Sequence, residues 1–229
     1  MIPQPGAALL FDIDGTLADT DPLHLEAFNQ TFAPFGHHFD KARFALELQG
    51  KANEAIAARF VPHLPPQEQM AVMDRKEALF RDLARTQIHA VPGLFDLLDT
   101  ADLWAIPMAA VTNAPRPNAE LILHGLGIYN RFKAIVIGAE LAHGKPHPLP
   151  YLEGLRLLDA DAAYSLAFED SRTGIASATA AGLATIGIRT SLAPADMQAA
   201  GAVISADGYD DPAVLALIEE RLGTLAQSA

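Results

Sequence analysis

The sequence predicts an α/β protein: a doubly wound parallel sheet with an all-helical segment inserted behind its first strand. Three observations carry this prediction. From about residue 87 onward, short apolar runs alternate with amphipathic stretches, and strands that alternate with helices build parallel sheets. Between Asp21 and Thr86 there is no convincing strand, only apolar residues at helical spacing. Ahead of both lies one isolated apolar run, Ala7-Ala8-Leu9-Leu10-Phe11. With 229 residues, 50% of them hydrophobic, the chain can bury one large globular domain or a domain with a small insert.

Taken in order, residues 7–11 read as a buried strand, and Gly15 lets the chain turn sharply after it. Asp21-Pro22 is a helix start, with Asp as N-cap and Pro at the first helical position, and it places Leu25, Phe28 and Phe32 on one face. Further helices fit residues 41–48, 53–60 and 66–85. After Val91-Pro92-Gly93 come a helix over 94–98, a strand over 107–111, a helix over 117–123 and a strand over 133–137. A helix over 150–158, a strand over 165–168, a helix over 173–181 and a strand over 184–188 follow, and a last β/α unit spans 202–204 and 212–222.

The chemistry is concentrated at the strand ends. Asp12 and Asp14 follow the first strand two residues apart, so a period of two brings both carboxylates to one face. Two neighbouring carboxylates repel, and a site that keeps both ionised implies a bound cation, for which Mg²⁺ is the hard, oxygen-seeking candidate. One carboxylate can then attack phosphorus while its neighbour handles protons, which is a phosphoryl-transfer site in outline. Ligands of open α/β sheets bind at the carboxyl ends of the strands, and every predicted strand end adds a polar group there. Thr112 and Asn113 follow the strand that ends at Val111, Lys145 lies in the loop after Ile137, and Glu169 and Asp170 follow Phe168.

Composition narrows the partners. A net charge of -12 argues against nucleic acid or an anionic membrane, since both need a basic face. A phosphate ester would be repelled by the same field, so its site must be made attractive locally by a metal ion and a few of the 16 Lys and Arg residues. Cysteine is absent, which excludes disulfides, thiolate metal sites and cysteine nucleophiles. The N-terminal residues carry no basic region and lead straight into the first strand, and no apolar run is long enough to span a bilayer, so a soluble cytoplasmic protein is expected.

Four short motifs, in order, are Asp12-Ile13-Asp14-Gly15-Thr16, Val111-Thr112-Asn113, Gly144-Lys145-Pro146 and Phe168-Glu169-Asp170-Ser171. Together they identify the chain as resembling the haloacid dehalogenase superfamily, within its β-phosphoglucomutase-like phosphatase branch. The resemblance implies a Rossmann-like core from residues 1–19 and 87–229 and a small helical cap from residues 20–86. It implies that Asp12 is the nucleophile that forms an aspartyl-phosphate and that Asp14 is the general acid and base. Lys145 would contact the nucleophile and the phosphoryl oxygens, while Thr112 and backbone N–H groups near Asn113 hold the remaining oxygens. Mg²⁺ would be held by Asp12, the backbone carbonyl of Asp14 and Asp170, with Glu169 either a direct ligand or the neighbour of one. Asp19 and His24 match the branch at the hinge, and for His24 a partly exposed helix histidine and a direct part in substrate binding or closure both stand. The expected partner is a small phosphorylated metabolite.

In the cap, Gln49-Gly50-Lys51-Ala52-Asn53 occupies the place of the substrate-specificity loop. Phosphoglucomutases of the branch carry a cationic residue where Asn53 stands, to grip the second phosphate of a bisphosphate intermediate. Asn53 has no charge, although Lys51, Arg43 or Arg116 could compensate, so the expected reaction is phosphomonoester hydrolysis, with phosphomutase activity as the alternative. Gln49, Lys51, Asn53 and Arg116 join His24 and Asn113 as candidate substrate contacts. Leu149 stands where the third motif usually has an acidic residue, so the local support of Lys145 differs from the family pattern. Dehalogenation is disfavoured because dehalogenases lack the second aspartate, and phosphonate hydrolysis at Lys51 because those relatives replace it with a small residue. A non-catalytic binding protein would be expected to have lost one of Asp12, Asp14, Lys145 or Asp170, and all four are present.

Several other signals read as ordinary structure. Residues 138–145 resemble a phosphate-binding P-loop, but five residues separate the glycines where the motif has four, and Pro146 replaces its Ser or Thr. His143 and His147 have zinc-helix spacing, but Gly144 and Pro146 between them oppose a helix. His37-His38 reads as a solvated loop, and Met70, Met73, Leu79, Phe80 and Trp104 as packing residues.

Overall fold

In the computed structural model, which describes residues 2–224, the apolar run becomes strand β2 (Leu9–Phe11), behind a two-residue strand β1 (Ile2–Pro3). Four helices follow with no strand between them: α1 (Asp21–Phe32), α2 (Lys41–Glu47), α3 (Asn53–Phe60) and α4 (Pro66–Ala84). The alternating part comprises α5 (Leu94–Leu103), β3 (Met108–Thr112), α6 (Arg116–Gly125), β4 (Ala134–Ile137), α7 (Leu149–Leu158), β5 (Leu166–Glu169), α8 (Arg172–Ala180) and β6 (Ala184–Ile188). It ends with α9 (Pro194–Ala200), β7 (Ile204–Ala206), α10 (Pro212–Leu222) and β8 (Gly223–Thr224), the last of which pairs antiparallel with β1.

Six strands form one parallel sheet in the order β4-β3-β2-β5-β6-β7. The chain winds outward from β2 through β3 to β4, then returns to β2's other side and winds outward again through β5, β6 and β7. The direction of winding therefore reverses between β2 and β5, and such a switch point opens a crevice at the carboxyl ends of the two strands. Asp12 follows β2 and Asp170 follows β5, so the reversal alone brings them together.

Alternation along β2 explains the layers. Leu9 and Phe11 belong to the larger apolar cluster, with Leu97, Ile122 and Ile218 of α5, α6 and α10, while Leu10 faces Tyr151, Leu155 and Ala178 of α7 and α8. The helical segment has its own apolar cluster, in which Phe28, Phe32, Phe39, Phe44 and Phe60 meet Val72 and Met73. Helices α1 and α4 reach into both clusters, since Leu23, Ala27, Phe80 and Ala84 pack with the sheet's larger cluster.

Several expectations need correction. Thr20, not Asp21, is the N-cap of α1, and Asp21 is its first residue with Pro22 second. Helix α9 was not anticipated, although Pro194 at its start and Gly201 at its end, with φ +113°, are the residues that favour those positions. Because α9 and its cap use the chain up to residue 201, the strand expected over 202–204 forms at Ile204–Ala206. Leu79 and Phe80 pack toward the sheet, whereas Met70 and Met73 stay within the helical segment. His37 is half-buried rather than solvated, with Nε2 2.7 Å from the Phe60 carbonyl oxygen. No helix among the described residues is long and apolar enough to cross a membrane.

At the centre of the sheet Phe11 and Phe168, both fully buried, stack with ring centroids 4.8 Å apart. The substitution Phe168→Ala is expected to cost about 3–5 kcal/mol, the cost of deleting a buried aromatic ring. At roughly 2–4 °C per kcal/mol for a chain of this size, Tm should fall by about 10 °C in a thermal melt.

Candidate active site

The sheet edge supplies a buried cluster of opposite charges. The Lys145 ammonium donates to Asp12 Oδ1 at 2.7 Å, to the Val111 carbonyl at 2.7 Å and to Glu169 Oε1 at 2.6 Å, which uses all three of its protons. Tyr151 OH donates to the same Glu169 oxygen at 2.7 Å. A Cβ at position 174 would collide with the Glu169 carboxylate, so only glycine at the start of α8 leaves room for that buried side chain. The loop bearing Lys145 is held by Asn113, whose Oδ1 accepts from the Lys145 backbone N–H and whose Nδ2 donates to the Lys145 carbonyl, both at 3.0 Å. Thr112 Oγ1 accepts from the Ala114 N–H at 2.9 Å, which orients the turn after β3.

Asp12, Glu169 and Asp170 each offer a carboxylate oxygen, and the three atoms lie within 4.8 Å of one another. Among the described residues Lys145 is the one ammonium in direct contact with this cluster, so negative charge is in excess. Burial drives the Asp12 carboxyl up to about 8, Lys145 opposes the rise, and Glu169 and Asp14 add to it. Burial also pushes Asp170 well above the carboxylate range, helped by Asp21, Asp12 and Glu169. Gly15 carries the chain past this group with φ +75°, and a Cβ there would strike the Asp170 carboxylate. Three buried oxygen donors with uncompensated charge suit a hard divalent cation such as Mg²⁺.

A second charged network starts at Asp14. Its Oδ1 accepts from Thr20 Oγ1 at 2.7 Å and lies 2.9 Å from His24 Nε2. The other ring nitrogen, Nδ1, lies 2.9 Å from the Lys76 ammonium. An ammonium can only donate, so Nδ1 accepts, and Nε2 carries the proton given to Asp14. Burial would raise the Asp14 carboxyl, but His24, Thr20 and Lys76 outweigh it and hold that group below its ordinary value. His24 is stacked flat on Phe80, with centroids 3.8 Å apart. Lys76, itself buried, is paired with Glu77 at 3.2 Å and lies over the Phe28 ring at 4.3 Å. Glu77 accepts from Asn53 Nδ2 at 2.9 Å and from Asn118 Nδ2 at 2.6 Å, and Arg81 donates to Asn118 Oδ1 at 2.9 Å. Residues of α4 thus grip α6 through Asn118, which is fully buried.

Between the two networks lies a chamber of about 100 Å³. It is lined by Asp12, Asp14, Thr112, Asn113, Lys145 and Asp170 from the sheet side, and by His24, Gln49, Lys51 and Asn53 from the helical segment. Gln49 Nε2 reaches across to Asp170 Oδ2 at 2.6 Å and Asp21 Oδ2 at 3.1 Å, and also contacts Ser191. Lys51 stands at the rim with its ammonium donating to the Leu46 carbonyl at 2.9 Å. Glu169 lies behind the wall, joined to the chamber's lining through Lys145 and through Ser171, whose Oγ donates to Glu169 Oε2 at 3.3 Å.

One expectation fails here, and the side chain of Asn113 is turned to another use. Arg116 does not line the chamber: it opens α6 and turns outward, with its guanidinium on Glu140 at 2.6 Å and near Glu120 at 3.8 Å. The side chain of Asn113 is used up in holding the Lys145 loop and in a 3.3 Å contact with the Gly50 carbonyl. Lys76, Glu77 and Asn118 were missed from the sequence. The signal was there for the first two: α4 buries Met73, Phe80 and Ala84, and a charged pair sits at 76 and 77 on that same stripe.

Comparison with known proteins agrees with this geometry. The description of haloacid dehalogenase-like hydrolases matches residues 9–188. The chain is 33% identical over 191 residues to the protein CbbY of Rhodobacter capsulatus, covering 78% of this chain and 83% of that one. It is 28% identical over 186 residues to the fructose-1-phosphate phosphatase YqaB of Escherichia coli, covering 80% and 96%. A crystal structure of CbbY from Rhodobacter sphaeroides in complex with phosphate superposes with a TM-score of 0.78 at 31% identity, covering 92% of this chain and 96% of that one. With the four motifs at one sheet edge and these relatives, the chain belongs to the haloacid dehalogenase-like hydrolase family, in its phosphatase branch.

Proposed function

We propose that this enzyme hydrolyses a small phosphomonoester through an aspartyl-phosphate on Asp12, with Mg²⁺ bound, residues 20–86 acting as a cap over the core of residues 1–19 and 87–229. The observation that carries this reading is the buried group of Asp12, Glu169, Asp170 and Lys145 at the switch point of the sheet, facing the Asp14–His24 pair across the chamber. Relatives support a phosphorylated sugar as the substrate class: YqaB is a fructose-1-phosphate phosphatase, and CbbY of Rhodobacter sphaeroides has been crystallised with xylulose-(1,5)bisphosphate.

Asp12 and Asp170 would hold the cation, with Glu169 fixing Lys145 beside them. When bound, the cation would neutralise these carboxylates and the phosphoryl oxygens, so that one anion can approach another. An Asp12 carboxylate oxygen then attacks phosphorus and the bond to the leaving oxygen breaks. Asp14 gives that oxygen a proton and afterwards takes one from the water that releases phosphate. Its Oδ1 is anchored by Thr20 and His24, which with Lys76 keep the free carboxyl ionised, while Oδ2 makes no hydrogen bond among the described residues and is the oxygen that would take up the proton when a phosphate dianion binds. The Lys145 ammonium, already fixed by three acceptors, needs no reorganisation to stabilise charge on the transferring group. Thr112 and backbone N–H groups at the end of β3 face the remaining oxygens.

Phosphate release from an aryl phosphate should require added Mg²⁺ or Mn²⁺ and stop on exhaustive chelation; full activity in excess chelator would sink the reading. Asp12→Asn should lower turnover at least about a thousandfold while the protein keeps its fold by circular dichroism, because an amide cannot accept the phosphoryl group.

Asp14→Asn should cost more on a sugar phosphate than on an activated aryl phosphate, by about a hundredfold, since only the former needs its leaving oxygen protonated. Equal losses on both substrates would reduce Asp14 to a structural role.

A further inference from the structure

The leaving-group side of the chamber carries its charges in closed pairs. Among the described residues three ammonium groups line the chamber, Lys145, Lys76 and Lys51. Lys145 belongs to the sheet edge and has no proton left to offer. Lys76 has its protons directed to His24 and Glu77. Lys51 is turned to the Leu46 carbonyl at the rim, half-buried. No arginine lines the chamber among the described residues, and the neighbouring ones are engaged: Arg43 and Arg59 with Glu47, and Arg116 with Glu140.

The acids are not balanced in the same way. Asp14, Asp21 and Glu77 all line the chamber beyond the Asp12–Lys145 edge. A second phosphate dianion there would meet carboxylates and one rim lysine, and would have to give up its water for neither a paired charge nor a fork of donors. Burying an uncompensated anion is among the most costly events in a protein interior. The amide oxygens of Asn53 and Gln49 make no hydrogen bond among the described residues and offer acceptors for hydroxyl groups, and Phe28 and Ile56 offer apolar surface. That mixture fits a carbon chain or ring with hydroxyl groups and exposed C–H faces.

Resting on the phosphatase reading above, we infer that the substrate is a monophosphate of a small neutral polyol or sugar, and that Glu77, by engaging Lys76, excludes bisphosphates. Glu77 is then a specificity-determining residue whose effect is exerted through a lysine. Burial alone would raise its carboxyl, but Lys76, His24, Asn53 and Asn118 together hold it below the ordinary value, so Glu77 remains a carboxylate at neutral pH, 3.2 Å from the Lys76 ammonium. The inference parts this chain from the CbbY relative crystallised with a bisphosphate.

The test compares matched pairs that share a scissile ester: fructose 1-phosphate with fructose 1,6-bisphosphate, and glucose 1-phosphate with glucose 1,6-bisphosphate. Two readouts are used, kcat/KM for phosphate release by the wild-type enzyme with Mg²⁺, and calorimetric Kd on the Asp12→Asn protein, which does not depend on turnover. The monophosphate of the better pair should be favoured by about tenfold or more in both. A bisphosphate that equals or exceeds its partner in either readout overturns the inference, as does absence of binding by any of the four.

Glu77→Gln removes one negative charge from the chamber and Asn53→Lys adds a positive one, by independent routes. Each, if folded by its thermal melt, should raise the ratio of bisphosphate to monophosphate by about fivefold or more, and an unchanged ratio in whichever of them folds overturns the role of Glu77. Preferential monophosphate binding to the Asp12→Asn protein without any phosphate release by the wild type would leave this inference standing and remove the phosphatase reading instead.

Discussion

Everything at this site follows from burying like charges at the end of a parallel sheet. Asp12, Glu169 and Asp170 come within 4.8 Å of one another because β2 and β5 are neighbours and both stop at the same edge. Water is excluded there, so mutual repulsion is strong and Lys145 can offset only part of it. The rest of the architecture serves that arrangement. Tyr151 from α7 closes off Glu169, Gly174 of α8 makes space for its carboxylate, and Asn113 clamps the loop that delivers Lys145. The metal-dependent phosphoryl transfer proposed above fits such a site, because the charge excess that burdens the folded protein would attract a cation.

The helical segment answers with a different electrostatic design. Its charges do not converge on an open position; they form a chain from Asp14 through His24 and Lys76 to Glu77, ending on Asn53 and Asn118. Each member satisfies the next, which suits buried polar groups, since a partly satisfied network costs more than an apolar wall. The chain has a chemical effect at one end, where it sets the tautomer of His24 and anchors one oxygen of Asp14. At the other end it has a mechanical effect, because Glu77 and Arg81 of α4 hold Asn118 of α6 and so tie the helical segment to the sheet's flank. The proposed acid and base, Asp14, is thereby linked to the tie between the helical segment and the sheet through the same few residues.

Specificity then becomes a matter of which charges are left over. On the sheet side a negative excess would favour a cation and, in the proposed reaction, one phosphoryl group with it. On the helical side the positive charges are already used, and what remains is amide and apolar surface around Asp14. In this chain the first half of that design follows from the winding of the sheet, whereas the second half depends on individual residues of the inserted helices. The relatives compared with this chain are named for different phosphorylated compounds, fructose-1-phosphate and phosphoglycolate among them.

The motif residues were legible because strand periodicity and parallel winding are local and topological facts. Two aspartates two apart after an apolar strand must share a face, and strands joined by helices must end at one edge, whatever the rest of the chain does. Asp12, Asp14, Thr112, Lys145 and Asp170 are all found lining the chamber for that reason. Arg116 was misjudged because spacing along α6 does not say which way a long flexible side chain turns, and Glu140, distant in sequence, draws it outward. Lys76 and Glu77 were overlooked because a charged pair on a helix is solvated in most contexts, and its burial follows from α1 and α6 packing against α4. Local pattern and winding rules determine the sheet, its edge and the residues placed there. The partner of each buried charge, and with it the character of the leaving-group chamber, depends on contacts such as Asp14 with His24 and Glu77 with Asn118, which only three-dimensional packing creates.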